Sequence, residues 1–273
     1  MPDRRVRSRS FLSLAIIFAV VVVVAVSSTI LWDRNFRHAS SADPGMTCPA
    51  VIPAKGRLPL SALGVHRVAL IGDSIMYQAS CSAAESLANV GIQTSRYAVP
   101  GSGLLNGSVN WLSQTQQILR SQHPDVVIAI FVGNYPAPPI QTAAGQPVAN
   151  DSPAFFDAWQ QRAAQLSAEV VATGAQMYWV SPPPIILPPF ADAQRLFDGY
   201  RQIPGDHFLN SGTVLAGPNG QDVMAKLTCG RFEIVRSLAD GIHLSDDGAR
   251  IYGQQIAHDL TAQLGLLTTP KPC

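Results

Sequence analysis

Asp125-Val126-Val127-Ile128-Ala129-Ile130-Phe131-Val132 runs apolar from its second residue to its last. A short apolar run of this length reads as a strand, and continuous rather than alternating hydrophobicity means that both of its faces are covered. It is the central strand of a parallel sheet. Upstream, Arg67-Val68-Ala69-Leu70-Ile71 reads as a second buried strand running into Gly72. A helix is predicted from about Ser74 to Ala88, stopped near Gly91. Ser95 to Val99 is a short strand closed by Pro100-Gly101-Ser102-Gly103, and Val109 to Ser121 is helical, with Trp111, Leu112, Ile118 and Leu119 as its apolar positions.

Downstream, a polar, proline-containing loop covers Tyr135 to Asp151. Ser152 then caps a helix that Pro153 opens, and the helix reaches Thr173 before Gly174. Gln176 to Val180 is the next strand, leading into the proline-rich stretch from Pro182 to Pro189. From Arg195 to Leu227 no periodicity stands out, apart from a short edge strand at Thr213-Val214-Leu215. Ser245 caps the final helix, Asp246 and Asp247 suit its first turn, and Tyr252, Ile256, Leu260 and Leu264 give it one apolar face before Gly265. Strands alternating with helices through short connections define a parallel sheet with helices on both faces. In such a sheet the working residues sit at the carboxyl ends of the strands.

Four segments fall there or just before the last helix. Gly72-Asp73-Ser74 closes the first strand, so Ser74 meets a helix N-terminus whose amides favour developing negative charge. Gly101-Ser102-Gly103 follows the second strand; its spacing to Gly107 does not fit a dinucleotide-binding turn, which leaves a tight turn or a glycine amide aimed at an oxyanion. Gly133-Asn134 closes the strongest strand and offers an amide with two donors. Asp240-Gly241-Ile242-His243 lets a carboxylate reach the Nδ1 proton of a histidine across a flexible glycine, leaving Nε2 as a general base. Alone, each has an ordinary reading as a cap, a turn or a loop. Together, in this order and at these places, they are hard to dismiss. His38, His66, His123, His207 and His258 are read as bystanders.

In these blocks, from about Val65 to Leu264, the chain resembles the SGNH hydrolases, also called GDSL esterases. The resemblance implies a flavodoxin-like three-layer α/β/α sandwich and acyl transfer without a cofactor, and the absence of any CxxC or Cys/His ligand spacing gives a metal site little support. The resemblance also implies roles: Ser74 as nucleophile, His243 as base and Asp240 as the group orienting it. The oxyanion hole would be the Ser74 amide, Asn134 and one glycine, Gly103 in preference to Gly101. One departure is visible. The family's third block commonly reads Gly-x-Asn-Asp, whereas Gly133-Asn134-Tyr135 lacks the spacer and the final Asp. An O-acyltransferase using the same triad, and a catalytically silent glycan-binding or scaffold domain, are the rival readings.

The first residues suggest where this chemistry takes place. Arg4, Arg5, Arg7 and Arg9 precede an apolar run from Phe11 to Trp32, long enough to cross a bilayer. The arginines should stay cytoplasmic and send the rest across. Residues 1–10 are then a cytoplasmic basic tail, 11–32 a transmembrane anchor, 33–57 a tether with Pro44, Pro49 and Pro53, and 58–273 the catalytic domain. A signal peptide cleaved near Ala25-Val26-Ser27, giving a secreted protein, is the alternative. Six arginines against Asp3 and Asp33 give residues 1–39 a balance of +4, which leaves the remainder at −3, since the chain as a whole is +1. A mildly acidic domain argues against nucleic acid as partner. The expected substrate is instead an acyl ester of an envelope glycan or lipid. Cys48, Cys81, Cys229 and Cys273 all follow the apolar run and read as two disulfides. Pairing Cys48 with Cys273 and Cys81 with Cys229 is the preferred connectivity, on the expectation that the first and last helices share one face of the sheet.

Overall fold

The computed structural model describes residues 64–105, 108–133, 147–187 and 190–266. The apolar run and tether, Asn134, Cys48 and Cys273 lie outside these residues. Among the described residues no helix is long and apolar enough to cross a membrane. The chain runs β1 (Arg67–Gly72), α1 (Ser74–Ala88), β2 (Gln93–Ala98), α2 (Trp111–Gln122), β3 (Val126–Ile130), α3 (Pro153–Val171), β4 (Gln176–Val180), α4 (Ala193–Tyr200), β5 (His207–Leu209), β6 (Ala225–Thr228), β7 (Arg231–Ile234) and α5 (Asp246–Gln263). The sheet has the order β2-β1-β3-β4-β5 with every pairing parallel, which is the flavodoxin-like winding.

The central position of β3 follows from its sequence. All five of its residues are buried, and their alternation feeds two separate cores. Val126, Ile128 and Ile130 join Leu70, Val180, the α1 residues Ile75 and Ala79 and the α5 residues Ile251, Ile256 and Leu260 on one face. Val127 and Ala129 join Ile71, Trp179, Trp111 of α2, Trp159 of α3 and Phe197 of α4 on the other. The domain is thus three layers, and its first and last helices do share a face. Gly253 makes their close approach possible: a Cβ there would stand 2.3 Å from the Ala79 carbonyl oxygen.

One predicted element is corrected. Thr213-Val214-Leu215 is part of a 3-10 helix, Ser211–Leu215, and not an edge strand. Local side-chain bonds win over a ladder there: Thr213 Oγ1 donates to the Asn210 carbonyl at 2.9 Å, and Ser181 Oγ accepts from the Gly212 amide at 2.8 Å. The sheet edge is taken by His207–Leu209, paired with β4. Three elements that the sequence did not signal begin in or beside this stretch: α4, the edge strand β5 and the antiparallel hairpin β6–β7.

Candidate active site

Gly72 ends β1 where nothing larger fits, because a Cβ would stand 2.2 Å from the Ile130 carbonyl oxygen of β3. Asp73 follows, fully buried, and stitches three elements together. Its Oδ1 accepts from the Ile75 amide at 3.0 Å, which caps α1, and its Oδ2 accepts from the Val132 amide at 2.7 Å, just past β3. Burial pushes its carboxyl up to about 7, although the amides of Val132, Ile75 and Met76 and the charge of His243 pull the other way. Ser74 is the first residue of α1 and is 9% exposed.

The segment bearing Asp240 and His243 has no regular structure, yet it is tied down at every step. Arg236 bridges to Leu244 across its base, and Ser237 donates its amide to the His243 carbonyl at 2.8 Å. Gly241 takes a left-handed φ of 67°, which a side chain would resist, and its amide reaches the Ser237 carbonyl. Asp240 Oδ1 accepts from the amides of Ile242 and His243 at 2.9 and 3.0 Å, leaving Oδ2 for the imidazole.

These ties converge on one line of contacts. Asp240 Oδ2 is 2.6 Å from His243 Nδ1, and His243 Nε2 is 2.9 Å from Ser74 Oγ. Burial raises the Asp240 carboxyl, but the bonds from His243 and the two amides outweigh it and hold the group below its ordinary value. With Asp240 ionised and accepting at Nδ1, Nε2 is the nitrogen that can take the Ser74 proton. The structure therefore brings Ser74 together with Asp240 and His243, the latter 169 positions further along the chain.

The predicted oxyanion residues are placed in part. The turn after β2 packs beside the β1 end that leads into Ser74: Gly72 O accepts from the Val99 amide at 2.9 Å, and Ser102 Oγ donates to Val99 O at 2.7 Å. Gly101 lies on the exposed side of this turn with φ 74°, whereas Gly103 is buried. Asn134 lies outside the described residues. Among the described residues no cluster of His, Cys, Asp and Glu could hold a metal ion. Cys81 and Cys229 are both disulfide-bonded. Arg96 Nη1 donates to Cys81 Sγ at 2.8 Å.

Two residues that the sequence did not single out complete the site. Gln78, one helical turn after Ser74, holds the backbone of Leu244 from both sides: Nε2 donates to its carbonyl at 2.9 Å and Oε1 accepts from its amide at 3.0 Å. The four-residue spacing from Ser74 is the one signal that could have found it. Arg236 is fully buried; it donates to the carbonyls of Pro184 and Ile242 and pairs with Asp222 at 3.3 Å. A buried arginine has no sequence signature.

The fold and this arrangement define an α/β/α protein with a serine–histidine–aspartate relay at the carboxyl end of its first strand. The chain belongs to the family described as Protein of unknown function (DUF459), whose model matches residues 67–259. No curated protein matches it. Solved structures similar to it include a "putative acylhydrolase" from Bacteroides fragilis (13% identity, 85% of this chain and 96% of that one, TM-score 0.50). A GDSL-like lipase from Bacteroides thetaiotaomicron is 14% identical over 76% of this chain and 90% of its own, with a TM-score of 0.49. A catalytic mutant of an acetylxylan esterase from Geobacillus stearothermophilus is 13% identical over 80% and 98%, with a TM-score of 0.48. The likeness to the Bacteroides fragilis protein is one of fold.

Proposed function

We propose that this protein is a serine esterase that cleaves carboxylic esters, acetyl or short acyl groups on envelope glycans or lipids, from a position tethered to the plasma membrane by residues 11–32. The observation that carries the reading is the unbroken relay from Asp240 through His243 to Ser74 Oγ, at 2.6 and 2.9 Å. Ser74 Oγ attacks the ester carbonyl carbon while its proton passes to His243 Nε2. The tetrahedral oxyanion is met by amides at the start of α1 and by donors from the turns after β2 and β3, Gly103 and Asn134 in this reading. The alcohol leaves with the proton from Nε2, and water, activated by the same nitrogen, releases the acid and restores Ser74.

The test is direct. The intact protein should label with a fluorophosphonate probe and hydrolyse p-nitrophenyl acetate. Ser74→Ala should lose both, turnover falling by on the order of a million-fold as for other triad nucleophiles, with an unchanged circular dichroism spectrum. A folded Ser74→Ala protein with full activity would remove the proposal.

A further inference from the structure

The β6–β7 hairpin is built inside out. Its two-residue turn, Cys229-Gly230, has positive φ at both positions, 47° and 78°, and the ladder sets Leu227 opposite Phe232 and Ala225 opposite Ile234. Alternation along the strands puts Leu227, Phe232 and Ile234 on one face and Lys226 and Glu233 on the other. A half-buried hairpin should turn its apolar face inward. Here Glu233 is 5% exposed and paired with Arg250 at 2.6 Å, and the Lys226 ammonium donates to the carbonyls of Val214 and Ala216. Leu227 and Phe232 are 68% and 76% exposed. The charged face thus packs on the domain and the apolar face points to solvent.

This is not a scatter of single surface residues, which would require no explanation. Of the nine large hydrophobics exposed among the described residues, seven fall between Ile186 and Leu238. They continue towards the relay. A Cβ on Gly241 would meet Leu187 Cδ1 at 3.1 Å and Met224 Sδ at 3.7 Å, so both flank the loop that delivers His243, and Leu238 stands exposed within that loop.

We propose that this face seats the domain on a lipid surface, so that Ser74 acts on esters carried by lipids in that surface. The occupant follows from the chain that precedes the domain. Phe11 to Trp32 is a membrane-length apolar run, and only residues 33–63 separate it from the first described residue, Gly64. At about 3.3–3.6 Å per residue at full extension, a segment of that length spans no more than about 110 Å. A bilayer is therefore the surface within constant reach. The inference rests on reading residues 11–32 as a membrane span and on the esterase reading for its substrate class.

The test uses the intact protein in phosphatidylcholine–phosphatidylglycerol vesicles, with Phe232→Trp as reporter and the wild type subtracted to remove its 4 tryptophans. If the hairpin is seated, the added emission is blue-shifted, and acyl-brominated phosphatidylcholine quenches it by at least about twofold. Adding Leu227→Ser and Ile234→Ser abolishes that quenching. Emission typical of water, or blue-shifted emission indifferent to bromine (a face covered by protein, such as a second copy), overturns the proposal. Hydrolysis of soluble p-nitrophenyl acetate by the same samples is read separately. Its absence in the wild type counts against the esterase reading, and its persistence in Phe232→Trp shows that a failed docking result is not a damaged site.

Discussion

Replacing Gln78 by alanine should disable the relay without touching any of its three members. Gln78 makes two hydrogen bonds to one backbone unit, Leu244 N and O, at 3.0 and 2.9 Å. Each net bond contributes about 1 kcal/mol, and truncation leaves a partly buried amide and carbonyl without that partner, so the loss should total about 2–3 kcal/mol. For a domain of this size that is a fall in Tm of roughly 4–10 °C. Catalysis feels the part of it that frees His243 to leave Ser74. If half of the loss acts there, about 1.4 kcal/mol, kcat for p-nitrophenyl acetate drops about tenfold while KM stays put. Gln78→Glu separates positioning from bulk stability. In that variant an ionised carboxylate still accepts from the Leu244 amide but sets a negative oxygen against the Leu244 carbonyl, whereas the protonated acid restores a donor. The ratio of variant to wild-type kcat should therefore fall as pH rises through the ordinary glutamate range. A Gln78→Ala protein with wild-type kcat, or a Gln78→Glu ratio that is flat with pH, would refute the reasoning.

Arg236→Met should destabilise by about 3–5 kcal/mol, because Asp222 and the carbonyls of Pro184 and Ile242 lose a fully buried partner. Adding Asp222→Leu should recover part of it, read from urea midpoints. Asn134→Ala should lower kcat by roughly 100- to 1000-fold with little change in KM; an effect confined to KM would make Asn134 a substrate-binding group instead. Asp73, raised to about 7 in the folded chain, binds a proton there that the unfolded chain releases near its ordinary value. Its stabilising contribution is complete in acid and is lost as pH rises through about 4 to 7, by on the order of 4 kcal/mol at most, and an Asp73→Asn protein should lack that slope.

What could be read in the sequence, and what could not, divides by the range of the interactions. β1, β3, β4 and the helices α1, α3 and α5 were legible because each carries its own signal: an unbroken apolar run, a serine cap or a spacing of four. The order of the sheet was not carried by the strands themselves, since parallel winding allows more than one order, and only the resemblance of the motif blocks implied the flavodoxin-like one. The hairpin strands alternate as amphipathic strands do, but at four residues each they carry little signal, and alternation cannot show which face turns inward, here the one with Lys226 and Glu233. The 3-10 helix at Ser211–Leu215 was misread because its β-branched residues suit a strand, while Ser181, about thirty residues away, supplies the bond that closes the turn. Ser74, Asp240 and His243 were visible as motifs. Gln78 was not, since what it holds is backbone and leaves no trace in a partner's side chain, and neither was Arg236, whose side-chain partner Asp222 stands fourteen positions away with no spacing to mark it.

That division bears on how the relay is kept in line. Asp240 and His243 are about a third exposed at their side chains, so their mutual attraction is screened by water and cannot by itself fix the loop against Ser74. The fixing comes from beneath. Gln78 ties Leu244 to the helix that Ser74 opens, Arg236 ties Ile242 to the Pro184 segment, and Asp73 ties Ser74 to the end of β3. Asp73 and Arg236 are fully buried, and all three anchors grip main chain, whose position does not depend on a rotamer. The two loose side chains therefore have only their last torsions left to set. Removing an anchor should then displace His243 relative to Ser74 while leaving the Asp240–His243 pair itself intact, which is why kcat should fall before that pair is broken.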